Sequence, residues 1–165
     1  MTPDFKRTQK EAVQLILASG PDIFNHNVET VPSLYKRVRP QGNYERSLQL
    51  FREIRSASDR VLTKSGVMLG LGEKIEEVLQ VLRDLRNVGC DILTIGQYLQ
   101  SSTMGLPVTE YIHPDVFQDL KKQAFGMGFT WVESGPFVRS SFHARESFES
   151  LKASLQSKRI ETISR

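Results

Sequence analysis

Cysteine is scarce in this sequence: Cys90 is the only one among 165 residues. One thiol excludes a disulfide framework, and it excludes an iron–sulfur or zinc site built from this chain's thiolates alone. Cys90 stands between a helical pattern and the apolar run that begins after Asp91. A lone cysteine in that position is typical of a small buried apolar side chain, so the sequence predicts that Cys90 packs in the core.

Long apolar runs and a strong net charge are also missing. No stretch approaches the length of a transmembrane helix, so we expect no membrane association. Met1 to Lys6 has no apolar segment with basic flanks and is not a secretory signal. The net charge of +3, from 22 basic and 19 acidic side chains, is too small to indicate nucleic acid as a partner. A cytoplasmic location is expected, and an organellar one stays open because a targeting segment would precede these residues.

What the sequence does contain is an alternation of short apolar runs with amphipathic stretches. Apolar spacing of three and four residues predicts helices, and short runs bounded by polar or glycine-rich loops predict strands. The predicted helices cover residues 6–19, 44–56, 75–88, 115–125 and 144–157. The predicted strands cover residues 22–24, 67–69, 92–95 and 130–132.

This alternation favours a parallel sheet, either in a barrel or in a doubly wound layout. A closed barrel needs about eight strands, and the sequence supplies three to four. The predicted fold class is therefore α/β, a partial (β/α) TIM-type barrel with three to four parallel strands. In both layouts the chemistry lies on loops after the carboxyl ends of strands. Here those loops, residues 25–30, 70–73, 96–102 and 133–141, are all polar or glycine-rich.

Five segments of these strands and loops occur in the order and at the intervals of one known family. They are Phe24–Pro32, Arg37–Pro40, Lys64–Glu73, Asp91–Gln100 and Ser134–Ser141. On these segments the chain resembles the lipoyl synthases, which are radical S-adenosylmethionine enzymes. The resemblance implies that residues 1–144 are the C-terminal half of a radical SAM barrel. Residues 145–165 are then a C-terminal helix and variable tail.

The resemblance implies an enzyme, a sulfurtransferase that inserts two sulfur atoms into a protein-bound octanoyl chain to make the lipoyl cofactor. It implies S-adenosylmethionine and two iron–sulfur (4Fe–4S) clusters as cofactors of the complete enzyme. One cluster cleaves S-adenosylmethionine to a 5′-deoxyadenosyl radical, and the auxiliary cluster supplies the sulfur. Octanoylated lipoyl-carrier domains or proteins are the implied partners.

The resemblance also implies roles for residues at the strand ends, although it gives no residue a catalytic role. The implied cofactor-binding residues are Asn25, Asn27, Glu29, Gly70, Gly72 and Glu73. The implied substrate residues are Gln97, Tyr98, Gln100 and Arg139. One of Ser140 and Ser141, with Ser141 favoured, is implied as a ligand to an iron of the auxiliary cluster, since a serine oxygen is a harder ligand than a thiolate.

Each of these residues also has a structural interpretation that does not need the resemblance. Residues 25–27 fit a helix-capping loop, and Glu73 fits a carboxylate at the start of the following helix. Tyr98 fits ordinary packing. The serine pair after Arg139 fits a helix cap.

The cysteine motifs of the family precede the region matched here, and this chain contains neither of them. We therefore expect the chain to bind no cofactor stably and to be inactive alone, with a separate N-terminal half as a candidate partner. Two alternatives stay open: the C-terminal subunit of a split enzyme, and a non-catalytic module that binds octanoylated or lipoyl-carrier domains. The sequence also departs from the family at residues 101–105, so substrate-loop roles do not carry over to them.

Overall fold

The computed structural model describes residues 1–6 and 8–139 of the chain. Its helices are α1 Gln9–Ala18, α2 Tyr35–Val38, α3 Tyr44–Ala57, α4 Ile75–Asn87 and α5 Pro114–Gly126, with a 3-10 turn at Pro32–Leu34. Its strands are β1 Ile23–Asn25, β2 Leu62–Leu69, β3 Ile92–Gln97 and β4 Trp131–Gly135. The predicted helix over 144–157 and the predicted boundary after residue 144 lie outside the described residues.

The four strands form one parallel sheet in the order β1-β2-β3-β4. Each strand therefore pairs with the next along the chain, and right-handed crossovers in that order place the crossing helices on one face. Within the described residues β1 and β4 are the edges of an open sheet. The predicted α/β class, a partial TIM-type barrel with about four parallel strands, is confirmed.

The strand register gives the sheet two chemically different faces. Phe24, Val67, Leu93 and Val132 share the face that packs on the helices in the apolar core. The opposite face, which lines the interior of a TIM-type barrel, carries three rows across β2, β3 and β4. These rows are Lys64–Ile92–Trp131, Gly66–Thr94–Glu133 and Met68–Gly96–Gly135. Glycines and polar side chains thus concentrate on one face, near the carboxyl ends of the strands.

Local capping explains where the longer helices begin. The Asn43 side chain accepts the Arg46 N–H at 2.8 Å and starts α3. The Glu77 carboxylate accepts the Lys74 N–H at 3.0 Å, which is half of a capping box at α4. Within residues 1–6 and 8–139, none of the helices has the length and apolar character needed to cross a bilayer.

Several elements differ from the sequence predictions: α1 begins at Gln9 rather than at residue 6, and β4 ends at Gly135 rather than at residue 132. β2 begins at Leu62, five residues before the predicted start, because Lys64 and Ser65 are buried despite their polarity. The short helix α2 was not predicted, since four residues give no apolar period to detect. Cys90 is fully buried, as predicted, and burial, with Asp91 beside it, raises the pKa of its thiol.

Candidate functional site

The loop that follows β1 begins with a β-bulge. The last regular pair is Asn25–Lys64 and the next pair is Glu29–Val67, so the first strand advances four residues while β2 advances three. Glu29 absorbs the extra residue with a φ of 69°, a left-handed conformation that is uncommon for a side chain of this kind. Its N–H still donates to the Gly66 carbonyl at 3.0 Å. The bulge therefore stays attached to β2 while its side chains turn out of the strand alternation.

A cavity of about 410 Å³ lies beside this bulge, at the carboxyl ends of β2 and β3. Its wall includes Asn27, Glu29, Gly66, Thr94, Gly96, Gln97, Tyr98, Gln100 and Arg139. Six of these are residues that the sequence singled out. A second groove, of about 730 Å³, runs beside residues 3–6 and 39–42 and contains none of them. The strand-end cavity is therefore the candidate site.

Asn27 and Glu29 give the cavity a hydrogen-bond-accepting wall. Burial raises the pKa of the Glu29 carboxyl, while a hydrogen bond from Asn27 and the charge of Arg39 act in the opposite direction. Asn27 is 8% exposed, and its Oδ1 atom has no hydrogen-bond partner among the described residues. A buried amide oxygen without a partner is costly, so this wall is suited to a ligand that donates hydrogen bonds.

Gly66 forms the floor under the Asn27 carboxamide. A Cβ atom at residue 66 would lie 2.8 Å from Thr94 Oγ1 and 3.0 Å from Asn27 Oδ1, closer than side chains pack. The carboxamide therefore lies against β2 because residue 66 has no side chain.

The segment after β4 crosses the same floor at Gly96. The Val138 N–H donates to the Gly135 carbonyl at 3.1 Å and closes a turn that contains Pro136. A Cβ atom at residue 96 would overlap the Val138 carbonyl. This crossing brings Arg139 to the cavity, where its Nη1 atom donates to the Val138 carbonyl at 2.8 Å.

The glycine turn after β2 has a different environment from the one predicted. The Glu73 carboxylate accepts the N–H groups of its own turn, including that of Leu71 at 2.9 Å. It therefore neither lines the cavity nor caps α4. The Gly70 carbonyl accepts the Thr109 N–H at 2.8 Å, and Arg37 donates to the Leu71 carbonyl. None of Gly70, Gly72 and Glu73 belongs to the cavity lining, and their predicted cofactor roles stay predictions.

The side chains of Gln97 and Tyr98 fasten the long loop between β3 and α5. Gln97 Nε2 donates to the carbonyls of Tyr98 and Glu110, both at 3.0 Å, and its Oε1 accepts the Ile112 N–H at 3.0 Å. The Tyr98 hydroxyl donates to the Leu106 carbonyl at 2.9 Å. The polar atoms of these two side chains are thus occupied by backbone groups.

Gln100 also bonds the loop backbone: its Nε2 atom donates to the carbonyl of Gly105, at the end of the divergent stretch 101–105, at 3.0 Å. Gln97, Tyr98 and Gln100 therefore border the cavity and also shape its loop. Their roles as substrate contacts stay predictions. Asn25 is not part of the cavity wall; its carbonyl accepts the Thr2 N–H at 2.8 Å.

Comparison with known proteins places this chain in a family. The sequence model of the radical SAM superfamily matches residues 1–85, which include β1, the bulge, β2 and most of α4. The chain belongs to the radical SAM superfamily.

Three relatives illustrate how far the similarity of this radical SAM chain extends, and all three are named lipoyl synthase. The protein from Alkaliphilus metalliredigens is 49% identical over 149 residues, which are 90% of this chain and 51% of the relative. The protein from Dichelobacter nodosus is 51% identical over 152 residues, covering 92% and 47%. The protein from Photorhabdus laumondii is 50% identical over 144 residues, covering 87% and 45%. The resemblance is confirmed, and the chain spans about half the length of the curated relatives it matches.

The accepting wall of the cavity fits part of the cofactor that gives the superfamily its name. S-adenosylmethionine offers ribose hydroxyls and an α-ammonium group, all of which donate hydrogen bonds. The free Asn27 Oδ1 atom and the Glu29 carboxylate accept such bonds. The bulge and the glycine floor of this radical SAM chain therefore form a surface that can accept hydrogen bonds from such a ligand.

An iron–sulfur cluster does not fit the residues of this radical SAM chain in the same way. Its one cysteine is buried as a thiol away from the cavity wall. Among residues 1–6 and 8–139, no group of three histidine, cysteine or acidic side chains is arranged to hold a metal ion. Ser140 and Ser141 lie outside the described residues, so the predicted iron ligand stays a prediction.

Sequence reasoning gave no individual role to Gly66, Thr94 and Gly96, which form the cavity floor described above. The two glycines carried a usable signal, because a glycine inside a buried strand often marks close approach of another backbone or a ligand. Thr94 carried none, since threonine is common in strands.

Proposed function

We propose that this radical SAM chain is the C-terminal part of a lipoyl synthase and supplies one wall of its S-adenosylmethionine site. The enzyme would insert sulfur into octanoyl chains carried by lipoyl-carrier domains. The observation that carries the proposal is the unpartnered Asn27 Oδ1 beside Glu29, in a chain about 50% identical to lipoyl synthases over most of its length. S-adenosylmethionine, once bound and reduced, supplies the 5′-deoxyadenosyl radical of such a reaction.

The role of this chain's own residues is to bind, orient and shield. Asn27 and Glu29 accept hydrogen bonds from the ribose or the α-ammonium group, and Gly66 lets the ligand and the Asn27 carboxamide approach β2. Arg139, which also lines the cavity, adds a positive charge that suits a carboxylate or an anionic cluster. The long loop after β3 borders the cavity and limits the access of water. The surroundings of the cavity are shaped by Asn25, Gln97, Tyr98 and Gln100. Ser140 or Ser141 would supply one oxygen ligand to the auxiliary cluster.

Because these 165 residues lack the cysteine motifs, we propose that they act only together with a segment that carries those motifs. The test combines this chain with the N-terminal part of the Alkaliphilus metalliredigens lipoyl synthase, which the chain does not match. The mixture is reconstituted anaerobically, and an octanoylated carrier domain is analysed by mass spectrometry. We expect the lipoylated product from the pair and none from either part alone.

Two outcomes would contradict this proposal. Lipoylated product from the chain alone would refute its dependence on a second polypeptide. A stable pair that carries clusters and yields no product would refute the enzymatic role. Carrier binding by such a pair, without turnover, would then favour the alternative of a binding module.

Replacing Gly66 with alanine should weaken binding of the adenosyl ligand. The new methyl group would lie 2.8 Å from Thr94 Oγ1 and 3.0 Å from Asn27 Oδ1, so one of these side chains has to move and one hydrogen bond from the ligand is lost. We expect the Kd of S-adenosylhomocysteine for the reconstituted pair to rise about tenfold, as one lost hydrogen bond predicts. Isothermal titration calorimetry measures the change.

Gly126→Ala is the matched control for this experiment. Residue 126 lies at the end of α5, and a Cβ atom there meets nothing within 4 Å. Equal effects of the two substitutions would argue against the placement of the ligand beside Asn27.

A further inference from the structure

The motif Arg37-Val38-Arg39-Pro40 contributes to the resemblance but has no part in the function proposed so far. In the structure it closes α2, a single helical turn that lies between the bulge and α3. Its two arginines point to different strand-end loops.

Arg39 holds the bulge after β1. Its Nη1 atom donates to the Asn27 carbonyl at 2.9 Å, and its Nη2 atom donates to Asp4 Oδ1 at 3.0 Å. The guanidinium also lies 5.7 Å from the centre of the Tyr35 ring. Because the Asn27 carbonyl belongs to the bulge, β2 does not bond it, and a partner from elsewhere is required. A planar guanidinium can serve both acceptors at once, whereas an ammonium group is less suited to this geometry.

The neighbouring residues of α2 make equivalent contacts. The Tyr35 hydroxyl donates at 2.8 Å to the Val28 carbonyl of the bulge, which also accepts the Thr30 N–H at 2.9 Å. Arg37 Nη2 donates to the Leu71 carbonyl, in the glycine turn after β2. One short helix thus bonds the backbone of two adjacent strand-end loops.

We propose that Arg37 and Arg39 are positioning residues, which hold the Asn27–Glu29 bulge and the Gly70–Glu73 turn at a fixed separation and so pre-shape the adenosyl-ligand wall. This inference rests on the proposed function for the identity of the ligand. The positioning role itself rests on the hydrogen bonds of Arg37 and Arg39 to the two loops. Neither arginine is a ligand-binding residue in this account. Both act through the backbone of the loops that they hold.

Arg39 has a second effect, which a purely steric role would not produce. Its positive charge favours the ionised form of the half-buried Glu29 carboxyl, against the effect of burial. Arg39 itself also bonds Asp4, which lies 3.3 Å from His26, and Arg139 lines the same cavity as Glu29. Burial lowers the pKa of His26, so this imidazole adds no positive charge near neutral pH.

The test compares five variants of the 165-residue chain by NMR: Arg39→Gln, Arg39→Lys, Arg37→Gln, Tyr35→Phe and, as a control, Arg52→Gln. Arg52 is exposed on α3, where it contacts only Gln49 among the described residues. Two kinds of quantity are measured, the exchange rates of the Glu29, Met68 and Thr109 amide hydrogens and the titration midpoint of the Glu29 carboxyl. The Glu29 and Met68 amides donate across the bulge, to the Gly66 and Glu29 carbonyls at 3.0 Å and 2.8 Å.

Arg39→Gln should speed exchange of the two bulge amides about tenfold, as loss of a charge-assisted hydrogen bond predicts, and should shift the Glu29 midpoint upward. Arg39→Lys should leave the Glu29 midpoint close to that of the parent chain, because the positive charge remains, but should still speed exchange of the two bulge amides. Tyr35→Phe should speed exchange without moving the midpoint, because no charge is removed. Arg37→Gln should speed exchange of the Thr109 amide, which bonds Gly70 in the other loop. Arg52→Gln should change neither quantity.

The proposal is overturned if Arg39→Gln alters the bulge no more than Arg52→Gln does, or if exchange rises equally throughout β3, which would mean simple destabilisation. If Arg39→Gln does not fold, the Arg39→Lys and Tyr35→Phe variants decide by the same criteria. Failure of the proposed function would appear separately, as the expected changes at the bulge together with no binding of S-adenosylhomocysteine by the reconstituted pair.

Discussion

Replacing Gly70 with alanine should lower the free energy of unfolding by roughly 3 kcal/mol, from two separate penalties. Gly70 has a φ of 96°, a conformation that side chains rarely adopt. In addition, a Cβ atom at residue 70 would overlap both the Gln97 side chain and the Glu110 carbonyl. The Glu110 carbonyl belongs to the backbone of a loop that is itself bonded to Gly70, so it cannot move aside cheaply.

Two other glycines of the chain separate these penalties. Gly20 also has a positive φ, 67°, but a Cβ atom there meets nothing within 4 Å. Gly20→Ala should therefore cost only the conformational part, about 1 kcal/mol. Gly126→Ala has neither penalty and should be neutral or stabilise the chain by roughly 0.5 kcal/mol.

Urea denaturation of the three variants beside the parent chain measures these differences. The expected order of stability is Gly126→Ala, then Gly20→Ala, then Gly70→Ala. A Gly70→Ala variant as stable as Gly20→Ala would mean that the loop at residues 109–112 does not pack on the glycine turn as described.

Replacing Asp91 with alanine should cost a similar amount, about 3 kcal/mol, because it leaves a half-buried cation and a strand N–H without their acceptor. Asp91 lies just before β3, at the amino ends of the strands. Its Oδ2 atom accepts the Thr63 N–H at 2.9 Å and bonds the Arg55 guanidinium. Arg55 also donates to the Gly89 carbonyl at 2.9 Å, so one carboxylate links α3, β2 and the start of β3.

Asp119→Ala is the matched control, because Asp119 pairs with Lys122 on the surface of α5 and both side chains are largely exposed. Exposed pairs contribute about 0.5 kcal/mol or less. Thermal unfolding should therefore show a large fall in Tm for Asp91→Ala and almost none for Asp119→Ala. Equal effects would contradict the structural role assigned to this end of the sheet, whereas the candidate ligand site lies at the other end.

Apolar periodicity was sufficient to predict most of the fold. The spacing in residues 75–88 predicted α4 almost to the residue, since one face of that helix is apolar throughout. Periodicity failed in β2, where Lys64, Ser65 and Gly66 interrupt the apolar pattern. These residues form a strand because β2 pairs with β3 along this stretch and with β1 at Lys64, and both pairings join residues far apart in sequence.

The candidate site was predicted less completely than the fold. The strand-end rule and the resemblance together pointed to Asn27, Glu29 and Arg139, which the structure brings to one cavity. They pointed equally to Gly70 and Glu73, which lie behind its wall. The difference arises because the Glu73 carboxylate bonds its own turn, a local alternative that the sequence pattern does not reveal.

The sequence by itself determined the α/β class, the parallel order of the elements, the family and the edge of the sheet at which polar residues gather. Those features depend on the spacing of apolar residues and on the order of motifs, both of which can be read from the sequence. Only the tertiary structure decided that the loop after β1 begins with a bulge and that Gly66 and Gly96 form the cavity floor. It also decided that Arg37 and Arg39, at the end of α2, hold two neighbouring loops. Each of these depends on contacts between residues far apart in sequence, whose distances no linear pattern specifies.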